Sequence, residues 1–190
     1  IDAVLSGTLN YLFSTFGSEC GFVESVKGAM DAGFTEPDPR IDLSGVDVQR
    51  KILILAREAG YTMEMADVEN PGFLPPALME GSVADFLDKL PTAEEDMQTR
   101  LAQAASEGLQ LRYVASFELN ASGEPKARVG LQALPPTHAF CQLQGSDNAV
   151  MLHTDRYVDR PLVIQGAGAG ADVTATVSYT HLRAHETRTH

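Results

Sequence analysis

Asp47 and Lys51 stand four residues apart in Val46-Asp47-Val48-Gln49-Arg50-Lys51. On a helix that spacing puts both on one face, with the acid nearer the N-terminus, the favourable order for an ion pair. Such a pair is either a surface contact worth roughly 0.2–0.5 kcal/mol or an ammonium held in place to deliver a proton. The residues upstream bear on the choice. The stretch GFTEPDPRIDLSGVDVQRK, Gly33 to Lys51, packs four acids and three bases into nineteen residues. Pro37 and Pro39 fix their own backbone and restrict Glu36 and Asp38 before them, so this loop is built to hold one shape. Stiff loops beside a helix start are common places to position a ligand. Several carboxylates there suit a cationic group such as a substrate ammonium. Spacing alone leaves both readings open, a charge-decorated surface and a site.

Other candidates are weaker. Pro161 to Asp172 contains Gln165-Gly166-Ala167-Gly168-Ala169-Gly170-Ala171, close to a strand–GxGxxA dinucleotide fingerprint. A Rossmann unit needs a following helix, a second strand and a distal acid, and the chain has no room for them. What survives is close backbone approach, which glycine permits. His181 and His185 have metal-ligand spacing without a third ligand, so no metal site is expected. His138 and His153 are isolated, and Cys141 in Ala139-Phe140-Cys141-Gln142-Leu143 reads as a small buried apolar residue.

The elements that must position these groups follow from periodicity. Ile1 to Leu5 is apolar and extended, and Ser6 is suited to cap a helix that begins there. Phe22, Val26, Ala29 and Met30 have helical spacing that stops at Gly33, a fitting left-handed residue after a helix. A further helix is predicted over about Val46–Ala59, with Val48, Ile52, Leu55 and Ala59 facing inward. A Pro-rich connector, Glu69 to Pro76, leads to helical patterns near Val83–Leu90 and Ala93–Ala105. Leu109–Phe117 alternates like a strand, Asn120–Pro125 is a turn, and Ala127–Leu131 returns as its hairpin partner. Two short strands fit Ala149–Thr154 and Leu162–Gln165. Helices followed by mostly antiparallel strands predict an α+β fold, with helices packed on one face of a mixed, largely antiparallel sheet.

Composition bounds the function. At 190 residues, with 44% hydrophobic and 21% charged residues, the chain suits a soluble domain with a substantial core. The net charge of −12 argues against nucleic acid or an anionic membrane as partner, since both repel an acidic surface. No apolar run approaches the roughly 18 residues a spanning helix needs. Two cysteines make no disulfide framework and fit a reducing cytoplasm. Three of the five histidines fall in Ser178–His190, where the character changes abruptly. Residues 177–190 therefore read as a non-native tail behind a domain of residues 1–176.

The Gly33–Lys51 stretch resembles the signature of homoserine dehydrogenases, usually G-[YF]-T-E-P-D-P-R-D-D-L-S/N-G-x-D-V-A-R-K. Ser6-Gly7-Thr8-Leu9-Asn10-Tyr11 upstream supports the resemblance, as do Gly145-Ser146-Asp147-Asn148 and Gln165 to Ala175 downstream. Together these blocks cover about residues 1–175. Lys89-Leu90-Pro91 and Leu111-Arg112-Tyr113-Val114 are more similar to the form fused behind an aspartate kinase.

The resemblance implies the catalytic and dimerisation domain of an enzyme that reduces L-aspartate 4-semialdehyde to L-homoserine with NADPH or NADH. It implies a homodimer in the cytoplasm. Lys51 is then the proton donor, Glu36 and Asp47 bind the amino acid, and Gly7, Thr8 and Asp42 line the substrate site. Gly170 would approach the cofactor. Ile41 departs from the family pattern, where the first of two aspartates is usual, and Gln49 replaces an alanine. The family's nucleotide-binding domain, with a second functional lysine and a monovalent-cation site, is expected upstream of Ile1. An apolar helix is expected where the tail stands, so this polypeptide alone should turn over little. A competing class is a non-catalytic acidic dimerisation or regulatory module.

Overall fold

The computed structural model describes residues 1–168. Gly170, His181, His185 and the expected tail lie outside the described residues.

The apolar start of the chain becomes β1 (Asp2–Val4), which lies inside the sheet. It pairs antiparallel with β3 (Gln110–Leu119) on one side and β5 (Asp147–Thr154) on the other. The predicted turn at Asn120–Pro125 folds β3 back onto β4 (Pro125–Leu134), in unbroken register from Gln110 opposite Leu134 to Leu119 opposite Pro125. β5 pairs antiparallel with β6 (Tyr157–Ala167). A strand that gave no sequence signal, β2 (Val68–Glu69), adds parallel to β4. Two residues are too few for alternation to show. The result is an open, mixed six-stranded sheet in the order β2-β4-β3-β1-β5-β6, and the fold is α+β as expected.

Ser6 caps α1 (Gly7–Thr15), its hydroxyl accepting from Leu9 N at 3.2 Å. α2 (Phe22–Asp31) closes as a Schellman turn: Phe34 N donates to Ala29 O and Gly33 N to Met30 O, both at 3.0 Å, with Gly33 left-handed at φ 69°. Next come α3 (Pro39–Leu43) and α4 (Val46–Glu58), then α5 (Val83–Lys89) and α6 (Glu94–Ser106). The stiff loop is thus partly a one-turn helix, which the sequence reading treated as loop. Pro39 takes the first helical position, where its missing N–H is harmless. Asp38 caps it, accepting from Arg40 N at 3.0 Å.

On α4 the buried face is Val48, Ile52, Leu53 and Ala56, while Leu55 is half-buried and Ala59 exposed. Ile52-Leu53-Ile54-Leu55 is apolar all round, so periodicity could not choose the face. Contact with β3 and β4 does.

Pleating splits the core in two. Ala3, Leu111, Tyr113, Ala115, Phe117, Ala127 and Val129 face the α-helices and join their apolar residues in the main cluster. Their alternates Val4 and Val114, with Ala149 and Met151, form a smaller cluster under Phe140 and Leu143, from the 3-10 turn Ala139–Gln142 and its flank.

Candidate functional site

β1 ends after three residues, and the chain turns at Leu5-Ser6 into α1. Two polar clusters converge on that junction. Lys51 Nζ donates to the Leu5 carbonyl at 3.0 Å and pairs with the Asp47 carboxylate at 2.7 Å. Both side chains are about half exposed. An ammonium has three N–H donors, so the two contacts hold Lys51 in place and leave one donor free.

The second cluster lies one turn further along α1. Thr8 is buried; its hydroxyl lies against both the Phe34 carbonyl and Asp42 Oδ1, the latter at 3.0 Å. The other Asp42 oxygen accepts from Glu36 N at 2.9 Å. One carboxylate on α3 thereby ties the Glu36 backbone to the N-terminal turn of α1. The Schellman turn after α2 is what delivers Phe34 O to Thr8 and sets Glu36 two residues on. Glu36 itself is exposed, with its carboxylate in solvent.

Asp38 and Arg40 fix the outer side of this loop. Arg40 grips Asp38 through Nε at 2.8 Å and Nη2 at 2.6 Å, and reaches Gly81 O at 2.7 Å. Hydrogen bonding to that guanidinium holds the Asp38 carboxyl below the usual carboxylate range.

On the opposite flank, a Cβ added to Gly7 would stand 2.8 Å from Ser146 O, so only glycine admits the Gly145–Asn148 segment this close. Asn10 Nδ2 donates to Gly145 O at 3.0 Å. Asn10 Oδ1 and Asn148 Oδ1, at the two ends of that segment, are buried without a hydrogen-bond partner among the described residues.

The fold therefore gathers Gly7, Thr8, Glu36, Asp42, Asp47 and Lys51 around one junction. Gly170 lies outside the described residues. Sequence reasoning missed the carbonyls of Leu5 and Phe34, because backbone acceptors leave no residue signature. It also gave no role to Asn10, whose amide stood in the quoted block as the only signal. A groove of about 790 Å³ lined by Phe13, Leu101, Arg112 and Cys141 opens beyond the C-terminal end of α1 and reaches Gly145. There the buried Arg112 guanidinium donates to the carbonyls of Phe13, Leu111, Phe140 and Cys141 and to Gln110, clamping α1 to β3. Among the described residues, no group of three or more His, Cys, Asp or Glu could hold a metal ion.

Comparison with known proteins identifies the family. The chain is 44% identical over 177 residues to a maize (Zea mays) protein named bifunctional aspartokinase/homoserine dehydrogenase 2, chloroplastic, covering 92% of this chain and 19% of the relative. A homoserine dehydrogenase of Paracoccidioides brasiliensis is 40% identical over 185 residues, covering 92% of this chain and 49% of that protein. The chain thus spans about a fifth of the maize relative and about half of the fungal one. A crystal structure of a Candida auris protein of unknown function superposes with a TM-score of 0.85 at 41% identity, covering 96% of this chain and 52% of that one. The sequence profile described as homoserine dehydrogenase matches residues 1–180, and the chain belongs to the homoserine dehydrogenase family.

Proposed function

We propose that this chain carries the catalytic face of an oxidoreductase that reduces L-aspartate 4-semialdehyde to L-homoserine, with Lys51 as proton donor. One observation carries the reading. Lys51 Nζ is fixed by two of its three donors, on Asp47 and on the Leu5 carbonyl, which leaves one N–H for a substrate oxygen. When hydride reaches an aldehyde carbon, negative charge develops on its oxygen. A positioned ammonium stabilises that charge and hands over the proton that completes the alcohol. Asp47 keeps Lys51 oriented while its own outer oxygen, with the exposed Glu36 carboxylate, offers anionic partners to the substrate ammonium. Thr8 and Asp42 are already committed to each other and to the 34–36 backbone. Their part is to hold Glu36 at the correct distance and to line the pocket with Gly7.

The hydride comes from NADPH or NADH when bound. The residues present fit the nicotinamide end of such a cofactor. Asn10 Oδ1, whose amide meets Gly145, and Asn148 Oδ1, against Gly168, are buried acceptors without a partner among the described residues, and a carboxamide group would carry the N–H donors they lack.

The reading also includes a homodimer. β6 is an eleven-residue edge strand, unpaired on its outer side among the described residues, with Val158 71% and Ile164 58% exposed. Long exposed apolar edges are pairing surfaces, and a second copy of β6 offers the matching edge.

The test joins residues 1–176 to the nucleotide-binding domain of a family member and follows NADPH consumption with aspartate semialdehyde. Lys51→Ala is expected to lower kcat by about 10²- to 10⁴-fold, and Glu36→Gln to raise KM for the amino acid. Undiminished turnover in Lys51→Ala would remove the proposed role. Homoserine titration of the unjoined chain should still shift the amides of Glu36 and Asp47.

A further inference from the structure

The corner between α3, which carries Asp42, and α4, which carries Asp47 and Lys51, is only Ser44-Gly45. Its angle sets how far the Asp42 bracket stands from the Lys51 ammonium. Local bonds tie it to α3: Ser44 N donates to Arg40 O at 2.9 Å and Gly45 N to Asp42 O at 3.1 Å, and the Ser44 hydroxyl accepts from Val46 N at 3.3 Å. α3 is a single turn. The N-terminus of α4 has no side-chain cap from Gly45, which sits at φ 68°.

The bonds that seat this corner on the sheet and on β2 come from elsewhere in the chain. Asn70, just past β2, donates through Nδ2 to Ser44 O at 3.0 Å and to Gln49 Oε1 at 3.3 Å. Gln49 on α4 donates in turn to Met65 O at 3.1 Å and Val68 O at 2.9 Å. Asn70 Oδ1 accepts from Gly72 N at 3.3 Å and from the Tyr113 hydroxyl at 3.4 Å. Tyr113 rises from the buried face of β3 directly beneath the corner. A Cβ on Gly45 would collide with its hydroxyl oxygen. The α3–α4 corner is therefore pressed onto the sheet through a tyrosine and stitched to β2 through two amides.

We propose that Asn70, Tyr113 and Gln49 are positioning residues that fix the α3–α4 corner and thereby the distance between the Asp42 bracket and Lys51. This rests on the proposed role of Lys51. None of the three touches the reacting groups. The Gln49 amide gives α4 two stitches to the 65–68 backbone. Asn70 is the keystone, because its one amide meets Ser44, Gln49, Gly72 and Tyr113.

The experiment is a double-mutant cycle in the joined enzyme described above. Asn70→Ala should lower kcat about 10- to 100-fold, the usual cost of a misplacement near 1 Å, while KM for NADPH stays unchanged. Asn70→Asp, which keeps the shape but turns an acceptor toward Ser44 O, should fall in the same way. In a Lys51→Ala background neither change should lower kcat further by more than about twofold, because the path to the chemistry is already cut. Equal losses with and without Lys51 would overturn the proposal, since that pattern reports only general loosening.

If Lys51→Ala keeps full activity, the proton-donor reading fails instead, so the two failures are separable. Should Asn70→Ala not fold, Tyr113→Phe and Gln49→Ala provide the cycle. For the unjoined chain, amide spectra give an independent measure: both variants should move the signals of Leu5, Asp42 and Lys51. Signals that stay in place would refute the positioning role without any turnover measurement.

Discussion

At the scale of single residues, the site works by leaving particular valences open. Lys51 has one donor left after Leu5 and Asp47 take two, whereas Asp42 has both oxygens engaged. Two titratable groups outside the site are equally specific. Glu94, in the first turn of α6, accepts from Phe22 N at 2.9 Å and Val23 N at 2.8 Å, capping α2 from another helix. Burial pushes its pKa up, but hydrogen bonds from Val23, Gln98 and Phe22 outweigh this and leave it below its ordinary value. A carboxyl whose folded pKa is depressed stabilises above the unfolded pKa and loses that contribution as pH falls through the folded one. Glu94→Gln should therefore cost about 1 kcal/mol at pH 7. The difference in melting temperature from the parent should close as pH drops below about 4.

Tyr113 has the opposite sign. Burial pushes its hydroxyl up to about 12. The unfolded tyrosine ionises near pH 10 while the folded one keeps its proton, so stability is full below pH 10 and is lost as pH rises toward 12. Alkaline denaturation monitored by circular dichroism should show that loss. Tyr113→Phe should flatten it.

At the scale of elements, short pieces do the positioning. β1 is three residues long, and this brevity lets α1 start beside Lys51 and the Gly145–Asn148 segment together. Gly7 is where those elements meet. Gly7→Ala places a methyl 2.8 Å from a backbone oxygen and 2.9 Å from Ser146 Cβ, neither of which is a flexible tip. The expected outcome is a loss of about 1–3 kcal/mol in stability and a weaker response to homoserine in amide spectra. Substitution at Ser18, exposed in the loop after α1, should do neither.

At the scale of the whole molecule, the α-helices cover one sheet face from β4 to β5, and β6 stands outside them as an apolar edge. Val158→Lys combined with Ile164→Lys should leave the monomer folded and shift the proposed dimer toward monomer in sedimentation velocity. A dimer that persists unchanged would place the interface elsewhere.

Much of this was legible in the chain. Ser6 marked the start of α1 and Gly33 the end of α2. The alternation from Leu109 gave β3, and i,i+4 spacing gave the Asp47–Lys51 pair. These are local properties, fixed by backbone preference and side-chain period within a few residues. The Gly33–Lys51 signature brought Glu36 and Asp42 into the candidate site by resemblance, though nothing local showed what they touch. Only tertiary structure decided that Lys51 meets Leu5 O, that Asp42 joins Thr8 to Glu36, which face of α4 is buried, and that Asn70 and Tyr113 lie under the corner. Apart from Asp42 to Glu36, six residues apart, those hydrogen bonds link residues 26 to 46 positions apart, several through backbone carbonyls that every residue carries. A group common to all residues writes nothing in a sequence, and only the fold determines which carbonyl an ammonium or amide finds.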